Sequence, residues 1–406
     1  MSFKEFTIDN CCYILNNLRF PINSEQRFEM KGEYPYYGAN GVQDYINKWK
    51  FDDDLILIAE DGGNFEQYSF KPIAYRVKGK CWVNNHAHVL KAKEDFSQGF
   101  IFYSLEHKNI LFFIAGGTRS KLTQIELKKI TLNIPLKNEA ERIREILEAT
   151  DEAIAHTEAL IAKYQRIKTG LMQDLLTKGI DENGTIRSKE THKFVIKNGI
   201  EVPEEWEVDI IDNVSKVTKL AGYEFTKYFD YSIGGEIIAL RALNIKNEEI
   251  ILNDIQTIPK KVSDQLPRSK INKGDVLITY IGAYIGDTLL ITESDKYHLA
   301  PNIAKLTAGN KLTPEFLEIV LKTYPVQKQT KNLTAVTATP SLTMGQIRNI
   351  SISFPIEIEE QKRIITTINS IRHNLKDEQN KLHKLQSLKT GLMQDLLSGK
   401  VRVNIE

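Results

Sequence analysis

The stretch KTGLMQDLL at residues 168–176 occurs again, without a change, at residues 389–397. Nine consecutive identities at an offset of 221 residues indicate a duplication in which both copies were kept alike. Weaker likeness extends upstream in one frame, where residues 132–147 and 352–368 each place a proline just before a charged helix start. The duplication therefore organises much of the chain, and the rest of the sequence must explain why this stretch stayed identical.

A heptad pattern runs into both copies of the repeat and predicts two long helices. Seventeen of the twenty seam positions carry an apolar residue, threonine or tyrosine over five heptads in each copy, which is coiled-coil periodicity. Asn138 with Glu141 indicates a capping box, and Gly179 and Gly399 are placed to end the helices. Because a lone amphipathic rod would leave its apolar stripe in water, we expect the two helices to pair, most simply antiparallel about a pseudo-two-fold axis.

The remaining sequence indicates two related globular domains of mixed character. Strand-forming runs include DLILIAED at 54–61, GDVLITYIG at 274–282 and NISISFPI at 349–356, each bounded by Gly, Asp or Pro. The predicted fold class is α+β, with two related mixed domains separated by two long antiparallel coiled-coil helices. The predicted order is a first domain at 1–136, a helix at 137–178, a polar linker at 179–199, a second domain at 200–355, a helix at 356–399 and a tail at 400–406.

Composition limits the class of protein. Fifty-four Lys and Arg against 53 Asp and Glu leave a net charge of +1, so any nucleic-acid surface must be a local patch. The three cysteines have no metal-ligand spacing, and the sequence has neither a signal-peptide pattern nor an uncharged apolar run of membrane-spanning length. These features predict a cytosolic protein.

The motifs of several enzyme classes are missing. The sequence has no phosphate-binding loop, dinucleotide fingerprint, zinc-protease motif, nucleophile elbow or Asn-Pro-Pro-aromatic motif, which predicts no cofactor and no catalytic role for this chain alone. His86 and His88 stand at strand spacing and could hold a metal. Without a third ligand nearby, we interpret them as two polar residues that end a strand.

Three loops rich in polar, aromatic and basic residues are the candidates for a binding surface. KGEYPYYGANGVQDY occupies residues 31–45, while AGGTRSKLT at 115–123 and TATPSLT at 337–343 stand at matching places just before the final strands of the two domains. Such side chains contact phosphates and base edges, although each loop taken singly is also compatible with plain solvated surface. The candidate DNA-binding residues are Tyr34, Tyr36, Tyr37, Asn40, Thr118, Arg119, Lys121, Thr339 and Ser341.

The near-identical helix ends, YPYYGANG, and VPEEWEV at the start of the second half together resemble the DNA specificity subunit of type I restriction-modification systems. The resemblance covers essentially the whole chain. It implies two target recognition domains that each read one half of a split double-stranded DNA target, and helices that dock two methyltransferase subunits. The resemblance also implies that restriction and translocase subunits join the complex later. The first domain lacks the Pro-x-x-Trp entry of the second, and Phe6 stands where a counterpart of Trp206 is expected.

The repeated stretch offers more apolar surface than one partner helix requires. Met172 and Leu176 widen the stripe beside the seam, and Gly170 within a helix costs about 1 kcal/mol relative to alanine, which close approach by a partner would justify. Two identical partners require two identical surfaces, whereas two different half-sites require two different reading domains. The predicted docking residues are Gly170, Met172, Leu176, Gly391, Met393 and Leu397.

Two other functions are compatible with parts of the sequence. The duplicated domains could bind protein or carbohydrate on a scaffold whose helices set their spacing, and salt-dependent DNA binding would separate that function from DNA recognition. A stand-alone nuclease or methyltransferase is disfavoured by the missing motifs.

Overall fold

The computed structural model describes residues 3–116, 120–231, 235–246, 249–282, 284–334 and 340–404, and the chain divides into two compact units. Unit 1 comprises Met1–Leu160 and Glu378–Glu406, and unit 2 comprises Ile161–Asp377. The first long helix, Lys137–Leu175, begins in unit 1 and ends in unit 2, whereas the second, Ile358–Leu397, begins in unit 2 and ends in unit 1. Unit 1 is therefore assembled from two segments that are distant in sequence.

Unit 1 contains a six-stranded mixed sheet. The strands in its described residues are β1 (Lys4–Thr7), β2 (Cys12–Ile14), β3 (Lys31–Gly38), β4 (Gly41–Ile46), β5 (Phe51–Ala59), β6 (Ala74–Val83), β7 (Ala87–Ala92) and β8 (Thr131–Ile134). The helices are α1 (Ile8–Cys11), α2 (Ser24–Glu29), α3 (Gln98–Glu106), α4 (Gln124–Lys129) and the first long helix, α5. The sheet order is β2-β7-β5-β6-β3-β4, and β1 pairs separately with β8.

Strand β5 lies in the middle of this sheet because both of its faces are apolar. Leu55 and Leu57 belong to one buried cluster and Ile56 and Ile58 to another, as the alternation of side chains along a strand requires.

Unit 2 contains two four-stranded sheets. The strands in its described residues are β9 (Phe194–Lys197), β10 (Ile200–Pro203), β11 (Trp206–Ile210), β12 (Ser215–Lys219), β13 (Ile237–Leu240), β14 (Ile245–Lys246), β15 (Glu249–Ile250), β16 (Gln256–Ile258), β17 (Lys270–Ile271), β18 (Asp275–Thr279), β19 (Thr288–Leu290), β20 (Tyr297–Leu299), β21 (Ile303–Ala308) and β22 (Ser351–Pro355). The helices are α6 (Ile211–Val214), α7 (Gly222–Tyr228), α8 (Lys260–Gln265), α9 (Pro314–Val320), α10 (Tyr324–Thr334), α11 (Met344–Arg348) and the second long helix, α12. The sheet orders are β12-β21-β18-β19 and β16-β13-β20-β17.

The two units repeat one core arrangement. The order β12-β21-β18-β19 in unit 2 matches β2-β7-β5-β6 in unit 1, and the pair β11 with β22 matches β1 with β8. Helix α9 follows β21 as α3 follows β7, and the side chains of Thr313 and Ser97 cap these two helices in the same way. The predicted α+β fold with two related mixed domains and two long helices is confirmed.

The long helices run in opposite directions within unit 1. Glu139, near the start of α5, pairs with Arg402, which lies beyond the end of α12. Farther along α5, Asp151 pairs with Lys389 at 2.9 Å. Predicted seam residues are fully buried at both helix starts, namely Ile143, Leu147, Ile364 and Ile368.

Two expectations about the helix boundaries need correction. Helix α5 begins at Lys137, so Asn138 already lies inside its first turn instead of capping it. Residues 179–199 are not a free linker, because Ile180 and Arg187 are buried in unit 2 and β9 pairs with β10. The two glycines beyond the helix ends have the expected left-handed backbone, with φ of 68° at Gly179 and 74° at Gly399.

A buried glutamate in the first turn of each long helix holds the segment that follows the other helix. In unit 2, Glu360 accepts hydrogen bonds from Arg187, from the indole N–H of Trp206 at 3.1 Å and from the backbone N–H of Ile180 at 3.1 Å. In unit 1, Glu139 pairs with Arg402 through two hydrogen bonds. We call these pairs the Glu–Arg clasps.

The aromatic residue equivalent to Trp206 is Phe3 and not Phe6. In unit 2, Trp206 pairs with Pro355. In unit 1, Lys4 pairs with Ile134, so the preceding residue, Phe3, lies opposite Pro135. A Cβ added at Gly179 would lie 2.8 Å from the Trp206 ring, and one added at Gly399 would lie 3.0 Å from the Phe3 ring. Both rings thus need a glycine beyond the helix end.

Candidate nucleic-acid interface and docking grooves

In unit 1, the loop after β5 is hydrogen-bonded to the segment that precedes α4. The Leu122 N–H donates to the Glu60 carbonyl at 2.7 Å, and the Gly62 N–H donates to the Ser120 carbonyl at 3.2 Å. Between these bonds, Asp61 and Lys121 form an isolated β-bridge. We call residues 60–62 and 120–122, with the adjoining Asn40 and His86, junction 1.

Unit 2 builds the same arrangement from different residues. The Leu342 N–H donates to the Tyr280 carbonyl at 2.8 Å, the Gly282 N–H donates to the Pro340 carbonyl at 3.3 Å, and Ile281 bridges Ser341. We call residues 280–282 and 340–342, with the adjoining Asn302, junction 2. Lys121 and Ser341 therefore occupy equivalent positions, while Thr118, Arg119 and Thr339 lie outside the described residues.

The four candidate residues from the YPYYGANG segment lie in different environments in the structure. The Asn40 side chain is exposed and donates to the Gly62 carbonyl at 2.9 Å, which places it at junction 1. Tyr37 is half-buried and stacks on Tyr75. Tyr34 packs edge-to-face on Trp49.

Tyr36 belongs to the core of unit 1. Only 1% of its surface is exposed, and its hydroxyl hydrogen-bonds the backbone of Ile22. This burial removes Tyr36 from the candidate DNA-binding surface.

Junction 1 carries a charged network. The Glu60 carboxylate lies 2.7 Å from the Arg19 guanidinium and 3.3 Å from the Lys121 ammonium. The His86 ring lies 2.9 Å from the Asp61 carboxylate. Glu60 is the carboxylate partner of Lys121, and the neighbouring Arg19 and His86 come from other distant segments, so no local motif indicates this group.

His86 and His88 have different environments. His88 is fully buried, its Nε2–H donates to the Leu122 carbonyl at 2.7 Å, and burial lowers its pKa below the ordinary histidine value. His86 precedes β7, so the pair begins a strand and does not end one as predicted. Within the described residues, no cluster of three or more His, Cys, Asp or Glu could hold a metal ion.

Among the described residues, junction 2 has Tyr280, Ser341 and Asn302 where junction 1 has Glu60, Lys121 and His86. Tyr280 occupies the position of Glu60, with the Lys219 ammonium 5.9 Å from its ring centre. Tyr284, on the same loop, is 39% exposed. Asn302 is exposed, has a left-handed backbone with φ of 74°, and accepts the Tyr280 N–H through its carbonyl, as His86 accepts that of Glu60.

The two copies of the repeated stretch each line one groove. Groove 1, in unit 1, encloses about 330 Å³ and is lined on the helix side by Thr390, Met393, Gln394 and Leu397. Groove 2, in unit 2, encloses about 610 Å³ and is lined on the helix side by Thr169, Met172 and Gln173. Three equivalent positions of the repeat therefore line both grooves, whereas Lys389 and Leu397 line only groove 1 and Thr177 lines only groove 2.

The other predicted docking residues differ in accessibility. Gly170 and Gly391 are exposed, and a Cβ added at either one would meet no other atom of the chain within 4 Å. Leu397 is partly buried at groove 1, whereas its counterpart Leu176 is 2% exposed and packs in the core of unit 2. Leu176 is thus buried in the chain and offers no surface to a partner.

The fold and these sites define a class of protein. Two related domains hold chemically different side chains on one repeated backbone frame, and two grooves share one helix sequence. Such a chain presents two unlike recognition surfaces and two like docking surfaces. No helix in the described part of the chain is both long enough and apolar enough to cross a membrane.

Comparisons with known proteins identify the family. The family described as type I restriction modification DNA specificity domain matches residues 2–166 and 203–387, so the chain belongs to it. A Haemophilus influenzae protein described as a type I restriction enzyme specificity subunit is 40% identical over 143 residues, which span 35% of this chain and 36% of that protein. The MjaVIII specificity subunit of Methanocaldococcus jannaschii is 25% identical over 398 residues, covering 92% of this chain and 88% of its own.

A solved structure shows the same fold. The S subunit of a type I restriction-modification system from M. genitalium covers 98% of this chain and 96% of its own length, with a TM-score of 0.65 at 13% identity. The family match and the specificity-subunit relatives confirm the predicted role in DNA sequence recognition, and the alternative of a scaffold that binds protein or carbohydrate is not favoured.

Proposed function

We propose that junctions 1 and 2 each read one half of a two-part double-stranded DNA target. The observation that carries this proposal is the shared backbone frame with different side chains, since Lys121 and His86 in unit 1 stand where Ser341 and Asn302 stand in unit 2. Base pairs differ in the donors and acceptors that they present in the major groove. Equivalent positions with different hydrogen-bonding groups suit two different half-sites.

Replacing Lys121 by alanine tests this assignment. Lys121 is half-exposed, and its ammonium is held beside Glu60. If it contacts a phosphate, the slope of log affinity against log salt should become shallower by roughly 0.9 in the assembled complex. Fluorescence anisotropy with the cognate duplex measures this slope, and the methylation pattern of host DNA should change at most in one half of the target.

The matched control is Lys189→Ala. The Lys189 ammonium is exposed and pairs with Glu201, and neither residue belongs to a junction, so its removal should leave the slope unchanged. Equal slopes for Lys121→Ala and the unsubstituted protein would show that Lys121 does not contact a phosphate. Changes in both halves of the target would contradict the proposal that each unit reads one half-site.

We further propose that each groove docks one methyltransferase subunit, which makes two per chain, and that restriction and translocase subunits join the resulting complex. Identical helix residues at equivalent positions in both grooves support docking of the same partner twice. In this proposal, methylation and cleavage belong to those partners, and this chain supplies recognition without catalysing either step.

Replacing Gly170 and Gly391 together by alanine should stabilise the chain but weaken docking. Neither added Cβ meets an atom of the chain, and alanine is favoured over glycine in a helix by about 1 kcal/mol at each site. A partner in close backbone contact would lose that contact. Thermal unfolding and methyltransferase titration measure the two effects, and raised stability with unchanged affinity would mean that the partner does not approach these glycines.

A further inference from the structure

Grooves 1 and 2 share three equivalent residues of the helix wall but differ in the opposite wall. In groove 1 this wall consists of Ser69, Tyr103, Ser104, His107 and Lys108. In groove 2 it consists of Lys322, Thr323, Tyr324 and Pro325. The same partner element must therefore fit two different surfaces.

The clearest difference lies between Lys108 and Tyr324. Ser97 caps α3 and Thr313 caps α9, and Lys108 and Tyr324 follow their caps at the same spacing of eleven residues. The Tyr324 side chain is 76% exposed and stands beside Pro325. Groove 2 thus offers an unburied aromatic ring where groove 1 offers an ammonium.

Each groove also contains an ammonium that already has a carboxylate partner, namely Lys389 in groove 1 and Lys322, which pairs with Glu318, in groove 2. The Lys389 ammonium lies 2.9 Å from Asp151 and 3.2 Å from Glu106, and Lys389 lines the groove. Groove 1 encloses about 330 Å³ and groove 2 about 610 Å³. Because both of these lysines are paired, the difference that separates the grooves is the one between Lys108 and Tyr324.

These differences affect binding in opposite directions. An exposed aromatic ring at the centre of an interface contributes much of the affinity when it is buried. An ammonium that loses water without gaining a partner opposes binding. Burial already holds the pKa of Lys108 below the ordinary lysine value, so further covering of this ammonium is costly.

We propose that the two methyltransferase subunits bind unequally, with groove 2 filled first and groove 1 second. Assembly then passes through a complex that contains one methyltransferase, seated in groove 2. This proposal rests on the docking function proposed above.

Thiol protection distinguishes the two grooves in the full-length chain. Thr169 and Thr390 are exposed, occupy equivalent positions in the repeat and line grooves 2 and 1. The three native cysteines are buried, so the thiol of Thr169→Cys or Thr390→Cys is the accessible one in each variant. Each variant is titrated with the methyltransferase of its own system, and maleimide labelling rates are measured while native mass spectrometry counts bound subunits.

We expect the thiol of Thr169→Cys to be protected at a methyltransferase concentration roughly tenfold or more below that needed for Thr390→Cys, since one well-buried aromatic commonly changes affinity by that factor. Adding Tyr324→Lys should remove the difference by weakening groove 2. Adding Lys108→Tyr should remove it by strengthening groove 1.

Protection of both thiols at one concentration, or earlier protection of Thr390→Cys, would overturn the unequal binding while leaving the docking function intact. If a complex forms and neither thiol is protected, the docking function itself fails. Gln173→Cys and Gln394→Cys, the adjacent equivalent pair in the two grooves, repeat the measurement should either threonine variant unfold.

Discussion

Replacing Met172 and Met393 together by glutamate should abolish methyltransferase binding while the chain remains folded. Both methionines line their grooves and are only partly buried in the isolated chain. A partner that covers either groove would bury the new carboxylate without a hydrogen-bond donor to pair with it. The binding free energy should become less favourable by about 3 kcal/mol or more per site, which corresponds to about a hundredfold in affinity. Analytical ultracentrifugation with the methyltransferase subunit measures the loss.

The double variant Gln165→Glu with Gln386→Glu is the matched control. It adds the same charge at an equivalent pair of exposed positions, seven residues earlier and therefore about 10 Å along each helix. Retained assembly in this control and loss in the methionine variant would support the grooves. Unfolding of the methionine variant would instead assign both side chains to the cores, and a folded variant that still assembles would contradict docking at the grooves.

Replacing Glu360 by alanine should cause a large loss of stability in unit 2. Arg187 and Glu360 have side chains only 8% and 3% exposed, and removal of the carboxylate leaves a buried guanidinium unpaired. Breaking a buried pair in this way costs about 3–5 kcal/mol. The Trp206 and Ile180 N–H groups lose their acceptor as well. Urea unfolding followed by the fluorescence of Trp206 and of the other tryptophans measures the change.

Glu139→Ala is the comparison in unit 1. The partner there, Arg402, has a side chain that is 43% exposed, so water can solvate the guanidinium once the carboxylate is gone. We expect a smaller loss than for Glu360→Ala. Equal losses for the two variants would mean that burial of the arginine does not determine the contribution of the clasps.

The long helices could be predicted because their signals are local and repeated. Heptad periodicity and an exact repeat are visible without knowledge of the fold, and residues 137–175 and 358–397 are helical in the structure. The aromatic residue of the first domain that is equivalent to Trp206 could not be predicted from such a local signal. A few similar residues around Phe6 suggested one register, whereas pairing of β1 with β8 determines another and selects Phe3.

The candidate DNA-binding surface could be predicted only in part. Matching loop positions identified Lys121 and Ser341, but their neighbours Glu60, His86 and Asn302 are brought together by strand pairing between distant segments. Tyr36 was misassigned to this surface. Tyr36 is buried because its ring packs with Ile22, Ile46 and Trp82. These contacts come from distant segments, so the sequence around Tyr36 does not reveal them.

The division of unit 1 into two segments affects the order in which the protein can fold as it is synthesised. Residues 161–377 form unit 2 without interruption, whereas unit 1 needs residues 378–404 to supply Lys389, Leu396 and Arg402. Domains generally fold from the N-terminus as they leave the ribosome. In this chain the first domain cannot be completed until its C-terminal segment has been made. A chain truncated after residue 377 would contain all of the second domain but lack part of the first.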